Sequence, residues 1–385
     1  MSYKINTIQE LEALYYGIDS DNILKADAPV LSTTTGVFNV VFGKFIWDQF
    51  NQEANAFGLL PKTIWRKSGW RLATAKSGTS ADGGIAEGGT IPDSIKRTFL
   101  EVTNTLKTVA HNFEVSEIQE YLASVEDDGA ANLAEQMTSG ATKHKEAMNQ
   151  QLLTDVSSDA AAATANYTGR TGFETLDRVI SSGSEEDAFG GTYTGFFDIF
   201  GLDRDSGTTF DSVVSHNSGT DRNLTDLIIR TQIYDIKNQG GNTTVMLTGW
   251  DTMRVAIGLY SDQLRYSNVV NEAKITISVN GIESEEGLNV GMRISTIYSI
   301  PWLASKDVTQ DTISRIYSLD TSDPEGSGEA RMSLSIAKPT RFFEAGVDRG
   351  TPFVIDKFTT QLLYETLGEI KCTRLDVQGK IRDLQ

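Results

Sequence analysis

The chain has 385 residues, of which 39% are hydrophobic and 22% are charged, and its formal net charge is −18. This composition is typical of a folded protein, and the length allows two or three structural units with separate cores. The acidic balance argues against nucleic-acid binding over the whole surface, and no apolar run approaches the roughly 20 residues of a membrane span.

Two apolar groups lie near the N-terminus, in a segment too polar for a signal peptide, so we expect synthesis in a cytoplasm. Spacings of three and four residues predict a helix over residues 6–18. The stretch 37–56 carries a second apolar group with no partner nearby in sequence, so we expect it to be buried on another subunit. The residues predicted for that contact are Phe38, Val41, Phe45 and Ile46.

A long two-stranded ribbon is predicted next. Residues 65–74 and 98–110 are rich in aromatic, β-branched and alternating residues, and GGIAEGGTIPDS, residues 83–94, has the glycine and proline content of a loop tip. Eight bases and four acids between residues 62 and 110 give +4 within the acidic chain. This charge fits either a solvated hairpin or an electrostatic clasp on an acidic neighbour. The candidate contact residues are Arg66, Lys67, Arg71, Glu87, Lys96 and Arg97.

A long helix is predicted after the ribbon. Ser116 and Gln119 fit a capping box, which would start the helix at that point. Gly129 and Gly140 are candidate breaks in it. Further apolar residues at helical spacing are expected to face the strand-rich tail of the chain, and they are Leu133, Met137, Ala141, Met148 and Leu152.

Short helices and strands are predicted to alternate from residue 176 to residue 337. The sequence pattern predicts helices over 224–238 and 250–259, strands over 244–247, 274–279 and 293–297, a hairpin of 313–319 with 331–337, and a strand-rich tail over 353–381.

Residues that could carry chemistry are few. Cys372 is the only cysteine, so we expect a small buried side chain and no disulfide within the chain. The histidines, His111, His144 and His216, stand far apart, and spacing alone does not exclude a site formed in the fold. No nucleotide-binding, serine-hydrolase or zinc-protease motif is present. The sequence therefore predicts no catalytic, cofactor-binding or metal-binding residues, and a protein that is not an enzyme.

The order of these parts resembles the major capsid proteins of tailed phages and tailed archaeal viruses, which have the Hong Kong ninety-seven-like fold. The resemblance rests on IAEGGTIPDSIKRTFLEVTNTLKTVAHNFEVSEIQEYL, residues 85–122, and RIYSLDTSDPEGSGEARMSLSIAKPTRFFEAG, residues 315–346. It implies an α+β fold with an N-terminal arm at 1–61, an extended β-hairpin loop at 62–112, a peripheral domain with a long spine helix at 113–160 and 338–375, and an axial α/β domain at 161–337 and 376–385.

The resemblance also implies a function. It indicates a structural protein that self-assembles into hexamers and pentamers of an icosahedral head, located in the virion and assembled in the host cytoplasm. The head would enclose double-stranded DNA without sequence-specific binding and without a membrane. The expected partners are other copies, a portal and a maturation protease. Scaffolding would come either from a separate protein or from a scaffold domain that has been removed from this sequence.

Two other classes of protein stay open from the sequence alone. An encapsulin-like compartment shell would share the fold. A surface-layer or adhesin protein would carry an export signal and repeated β domains, and neither is visible. Some capsid relatives crosslink subunits through a loop lysine and a distant asparagine. Lys76 and Lys96 lie in the loop, but no asparagine matches the partner, so crosslinking is not expected.

Overall fold

The computed structural model describes residues 54–77, 85–90, 96–116, 118, 121, 133–156, 170–189, 197–204, 210–260, 295–323, 326, 328–345 and 359–385. The chain falls into two compact units. The first unit comprises residues 1–52, 110–144 and 340–365, and the second comprises residues 53–109, 145–339 and 366–385.

The described helices vary in length from one turn to about six turns. They are α1 (Asn55–Leu59), α2 (Leu133–Leu153), α3 (Leu176–Val179), α4 (Gly183–Phe189), α5 (Asp226–Asn238) and α6 (Trp250–Tyr260). Within the described residues, no helix is both long enough and apolar enough to cross a membrane.

The described strands are β1 (Lys62–Ile64), β2 (Gly69–Ser77), β3 (Lys96–Thr103), β4 (Lys107–Ser116), β5 (Val213–Ser215), β6 (Val245–Thr248), β7 (Ser295–Ile297), β8 (Ile300–Ala304), β9 (Ile316–Leu319), β10 (Met332–Ala345), β11 (Thr359–Cys372) and β12 (Gly379–Ile381). They form a mixed six-stranded sheet of order β5-β12-β9-β6-β8-β7, a four-stranded sheet of order β1-β10-β11-β4, and a two-stranded sheet of β2 and β3. The predicted α+β fold is confirmed.

The six-stranded sheet of the second unit is covered on both faces. Every residue of β6 and β9 is buried, as expected for central strands between two layers. Alternation along β6 sends Met246 to one buried cluster and Leu247 to another. The Met246 cluster includes Ile229 of α5 and Ala256 of α6, and the Leu247 cluster includes Leu152 of α2. The sheet therefore separates two hydrophobic cores.

Several predicted elements of this unit are confirmed to within two or three residues. Helices α5 and α6 and strands β6 and β7 lie where the pattern placed them. Strands β11 and β12 form the described part of the strand-rich tail predicted over 353–381, of which residues 353–358 lie outside the described residues. The side chain of Thr225 caps α5, since its Oγ1 accepts from the backbone N–H of Ile228. The predicted helix over 6–18 and the predicted strand over 274–279 lie outside the described residues.

The predicted return strand over 98–110 is wrong as a single strand. β3 ends at Thr103 and β4 begins at Lys107, in a different sheet. The cause lies between them, at Asn104, whose side-chain Nδ2 donates to the carbonyl of Ile370 at 2.7 Å. Its backbone N–H donates to the carbonyl of Ser68 at 2.6 Å. The first contact ties the chain to β11, and the second extends the ribbon by one residue beyond the Gly69–Thr103 pair, so the ribbon ends at Asn104.

The predicted hairpin of 313–319 with 331–337 is also wrong. β9 pairs with β12 and β6 in the six-stranded sheet, whereas β10 lies between β1 and β11 in the four-stranded sheet. The backbone N–H of Arg331 donates to the carbonyl of Ser322, so the turn does close locally. The strands on the two sides of this turn then enter different sheets.

Helix α2 is continuous at Gly140, where a break was considered. The glycine serves close packing instead, because a Cβ there would lie 2.1 Å from Cζ of Phe113. Ser116 ends strand β4 and Ile118 is helical, so the change from strand to helix lies at the predicted capping box, and the capping hydrogen bonds themselves stay a prediction. Gln119 and Gly129 lie outside the described residues.

Helix α2 also carries the predicted apolar stripe. Met148 and Leu152 are fully buried, in the same cluster as Ile370 and Cys372 of β11. These contacts confirm the predicted side of the helix for its C-terminal part.

A buried charge network connects three segments of the second unit. Nζ of Lys380 in β12 lies 2.8 Å from Oδ1 of Asp177 and 2.7 Å from Oε1 of Glu185, and all three side chains are fully buried. Arg315 donates to the same oxygen of Asp177 at 2.9 Å, and Arg382 donates to Oε1 of Glu185 at 2.7 Å. The network holds β12 in place between β5 and β9.

Burial alone would raise the pKa of Asp177, but the charges of Lys380 and Arg315 outweigh burial and hold this pKa well below its usual value. Asp177 therefore keeps its negative charge in the native state, and its contribution to stability is present at any pH above the ordinary carboxyl pKa of about 4. It is lost only as pH falls through the depressed native pKa.

Truncation of Leu152 tests the core packing of α2. We expect Leu152→Ala to lower the free energy of unfolding by about 2–5 kcal/mol, because the side chain is fully buried and leaves a cavity. Urea unfolding of the unassembled subunit measures this loss. Gln150→Ala, at an exposed position on the same helix, is the control and should change stability by less than about 0.5 kcal/mol. A loss as small for Leu152→Ala would contradict the assigned helix face.

Removal of Asp177 tests the buried network. We expect Asp177→Ala to lower the free energy of unfolding by about 3–5 kcal/mol, because Lys380 and Arg315 would then be buried with one carboxylate fewer. Arg71→Ala removes one partner of an exposed ion pair and should cost only about 0–1 kcal/mol. The same urea titration measures both variants, and equal losses would show that the network does not stabilise the unit.

Candidate assembly surface

Strands β2 and β3 form a separate antiparallel ribbon, in register from Gly69 opposite Thr103 to Ser77 opposite Lys96. The register shifts between Ala73 and Ala75, which marks a β-bulge. A bulge increases the local twist of a strand pair and bends it. The ribbon predicted from the sequence is confirmed, although β2 begins four residues later than expected.

One face of the ribbon is anchored in the core of the second unit. Val102 is fully buried, and Trp70, Leu72 and Leu100 pack against the same hydrophobic cluster. The Trp70 ring meets the ring of Phe200 edge-on, with centroids 5.2 Å apart. The base of the ribbon is therefore fixed by its own subunit.

The opposite face of the ribbon is exposed. Arg71 and Glu101 face each other across the two strands, and Nη2 of Arg71 donates to Oε1 of Glu101 at 3.0 Å. Phe99 lies on the same face by strand alternation and is 59% exposed. Aromatic residues and Arg are both enriched at protein interfaces.

A groove of about 290 Å³ lies at the base of the ribbon. Lys371 in its wall pairs with Glu329, the Nζ–Oε2 distance being 2.5 Å. Arg66 and Lys67 are exposed, and neither is paired with a carboxylate within the part of the chain that the structure describes. The groove is lined by Ile64, Trp65, Arg66, Lys67, Gly69, Trp70, Asn104, Glu329, Ser335 and Lys371.

Lys62 is a weaker contributor to the basic surface than the charge count of the sequence suggested. Its Nζ donates to the carbonyl of Leu60 at 2.8 Å and lies 4.4 Å from the ring centre of Phe57. Burial lowers the pKa of Lys62 to about 7, so this amine carries less positive charge at neutral pH than an exposed lysine does. Lys107 is also engaged, since its Nζ donates to the carbonyl of Arg170.

The remaining predicted contact residues are placed as follows. Glu87 is exposed in the segment between the two strands of the ribbon. Lys96 and Arg97 lie in β3, opposite Ser77 and Lys76. The arm residues Phe38, Val41, Phe45 and Ile46 lie outside the described residues.

Sequence reasoning missed two features of this surface. Ile64, at the end of the edge strand β1, is 75% exposed and lines the groove. Phe99 is the other, and strict alternation along β3 could have identified it as the outward neighbour of Leu100. The Glu329–Lys371 pair had no signal in the sequence, because its two residues come from separate segments.

The described residues hold no group of three or more His, Cys, Asp or Glu side chains that could bind a metal ion. Cys372 is fully buried, as predicted, and its Sγ donates to the carbonyl of Arg374. Burial raises the pKa of the Cys372 thiol to about 12, so this thiol is protonated at neutral pH and is a poor nucleophile.

Comparison with known proteins gives the relationship. Residues 21–300 match the family model described as the SU10 major capsid protein. Among solved structures, the capsid asymmetric unit of cyanophage A-1(L) is similar, with a TM-score of 0.60 and 15% identity over 92% of this chain and 98% of that chain. A structure described as Mycobacterium phage Bobi gives a TM-score of 0.48 at 10% identity, covering 92% of this chain and 99% of that chain.

The SrpI encapsulin of Synechococcus elongatus PCC 7942 gives a TM-score of 0.47 at 11% identity, covering 86% of this chain and 87% of that chain. No curated protein matches the chain. The likeness to the cyanophage capsid shows the Hong Kong ninety-seven-like fold that the sequence resemblance implied. Because the family model covers well over half of the residues, the chain belongs to the SU10 major capsid protein family.

Proposed function

We propose that copies of this chain form the hexamers and pentamers of an icosahedral virus head that encloses double-stranded DNA. The observation that carries the proposal is the ribbon, which has one face anchored in its own unit and the other exposed with Phe99, Arg71 and Glu101 on it. The exposed face of such a strand pair has no cover within its own unit among the described residues, and it gains a partner by lying over an adjacent subunit. The function is then assembly, and no catalytic group is required.

Charge supports an adjacent copy as the partner. Arg66 and Lys67 are exposed cations at the ribbon base, within a chain whose net charge is −18. The surface of a second copy is therefore acidic on average, and it attracts the positive charge at the foot of the ribbon. One exposed ion pair contributes only about 0–1 kcal/mol, but the same pair recurs at every equivalent interface of a shell.

Further contacts in the proposed interface come from the rest of the predicted set. Glu87, Lys96 and Arg97 would meet the neighbour along the ribbon. The apolar arm would add hydrophobic burial through Phe38, Val41, Phe45 and Ile46. Only about half of the charged ribbon residues can touch one partner, because alternation sends neighbouring side chains to opposite faces.

The proposed shell holds DNA without reading its sequence. An acidic protein lacks the basic surface that retains phosphates, so packaged DNA would be confined by the closed shell and not bound by it. Filling and closing such a head requires a portal, and we include a separate scaffolding protein and a maturation protease as partners in the proposal.

Particle formation tests the proposal directly. We expect the expressed protein, alone or together with a scaffolding protein of the same virus, to form large closed shells under negative-stain electron microscopy. Shells isolated from infected cells should protect double-stranded DNA from nuclease, whereas an encapsulin-like compartment would contain protein cargo. A subunit that stays monomeric under all assembly conditions would contradict the proposal.

Charge reversal tests whether the cations at the base of the ribbon bind an acidic surface of an adjacent copy. We expect Arg66→Glu with Lys67→Glu to reduce shell yield strongly while circular dichroism shows an unchanged fold, because both side chains are exposed. Wild-type yield should also fall in about 1 M salt, where the screening length shrinks to about 3 Å.

The matched control for charge reversal is Arg66→Lys with Lys67→Arg, which exchanges the two cations and keeps their charge. This control should assemble like the wild type. Normal shells from the double reversal would show that these cations are solvated and take no part in assembly.

A further inference from the structure

Two of the three histidines in the chain meet in the first unit. His111 lies in β4 and His144 lies in α2, and their Nδ1 atoms are 2.8 Å apart. The ring centroids are 5.0 Å apart and the planes cross at 76°, so the two rings meet edge to face. The contact joins residues 33 positions apart, which is why spacing along the sequence gave no sign of it.

The packing around this pair is close. His144 is 1% exposed, and its ring stacks on Tyr364 of β11 at 6.1 Å and 27°. One helical turn earlier, Gly140 lies against the ring of Phe113, two residues along β4 from His111. The histidine pair and the Gly140–Phe113 contact therefore form two successive points at which β4 touches α2.

The bond between the rings depends on protonation. A hydrogen bond between two ring nitrogens needs one N–H donor and one lone pair, so at least one Nδ1 must be unprotonated. When both rings are cationic, two N–H groups and two positive charges face each other at hydrogen-bond distance. The bond is then lost, and the like charges repel.

The surrounding groups oppose a charge on either ring. Burial lowers the pKa of His111, and the positive charge of Lys143 on α2 lowers it further. Burial, and then the neighbouring His111, lower the pKa of His144 to about 4.

The other polar groups of these elements have contacts of their own. The hydroxyl of Tyr364 donates to the carbonyl of Met137 at 3.0 Å, and Glu114 of β4 accepts from Gln361. Arg341 of β10 pairs with Glu365 of β11.

We propose that the His111–His144 pair is an acid-sensitive latch, which holds β4 against α2 at neutral pH and opens when both rings are protonated. This inference concerns the isolated subunit and does not depend on how copies assemble.

The direction of the pH dependence follows from linkage. The native pKa values lie below the unfolded value of 6.5, so the stabilisation is complete above pH 6.5. Between about pH 6.5 and about pH 4, these two histidines bind more protons in the unfolded chain than in the native chain. The ratio of folded to unfolded protein then falls by up to about tenfold per pH unit for each histidine that stays neutral.

The experiment uses the unassembled full-length subunit, so it is separate from the test of shell formation. Amide hydrogen exchange at pH 7.5 and pH 5, corrected for intrinsic rates, should show faster opening of residues 110–116 and 136–144 in acid. We expect His111→Asn, which leaves one titrating ring, to reduce this acid-induced increase several-fold. His216→Asn makes the same chemical change at the third histidine, outside the pair, and should behave like the wild type.

Proton NMR of the wild type supplies a measurement that needs no variant. The ring C2–H signals of two of the three histidines should titrate below pH 6.5, and each should respond to the ionisation of the other. Independent titration of all three near 6.5 would overturn the latch. Acid-induced opening that is the same in His111→Asn as in the wild type would also overturn it, as would loss of that opening in His216→Asn.

Discussion

The second unit depends on charges that are buried together. Lys380 comes from a strand late in the chain, and it meets Asp177 and Glu185 from segments about 200 residues earlier. Its strand, β12, occupies an interior position of the six-stranded sheet. Any other register of β12 would bury these charges without partners, which is far more costly than a lost apolar contact. In the observed register these buried charges are paired, and the two cores lie on either side of the sheet.

The ribbon differs from the buried charge network, because one of its faces takes part in folding and the other is proposed to take part in assembly. Val102 and Trp70 fix its inner face in the core, so the ribbon is positioned before any partner arrives. Its outer face keeps Phe99 and the Arg71–Glu101 pair in solvent. A preorganised surface loses less conformational entropy on binding than a flexible one, which favours an interface repeated many times in one shell.

Local sequence patterns predicted those elements whose causes are local. The periodicity of residues 226–238 and the cap at Thr225 suffice to place α5. The break at Asn104 could not be predicted, because its partner, the carbonyl of Ile370, lies 266 residues away. The His111–His144 contact and the partners of Lys380 could not be predicted for the same reason. Contacts between residues far apart in the chain leave no periodic pattern in the sequence. At the proposed assembly surface, the exposed cations were predictable from composition, while the groove they line was not.

The two kinds of charge also respond differently to solvent. Lys380 and Asp177 are out of contact with water, so added salt screens their attraction weakly. Arg66 and Lys67 lie in solvent, where salt at about 1 M limits electrostatic attraction to about 3 Å. We therefore expect that salt which weakens the proposed contacts between copies leaves the fold of each copy intact. A subunit built in this way can dissociate from an incorrect position and bind again, which a closed shell requires while it is still growing.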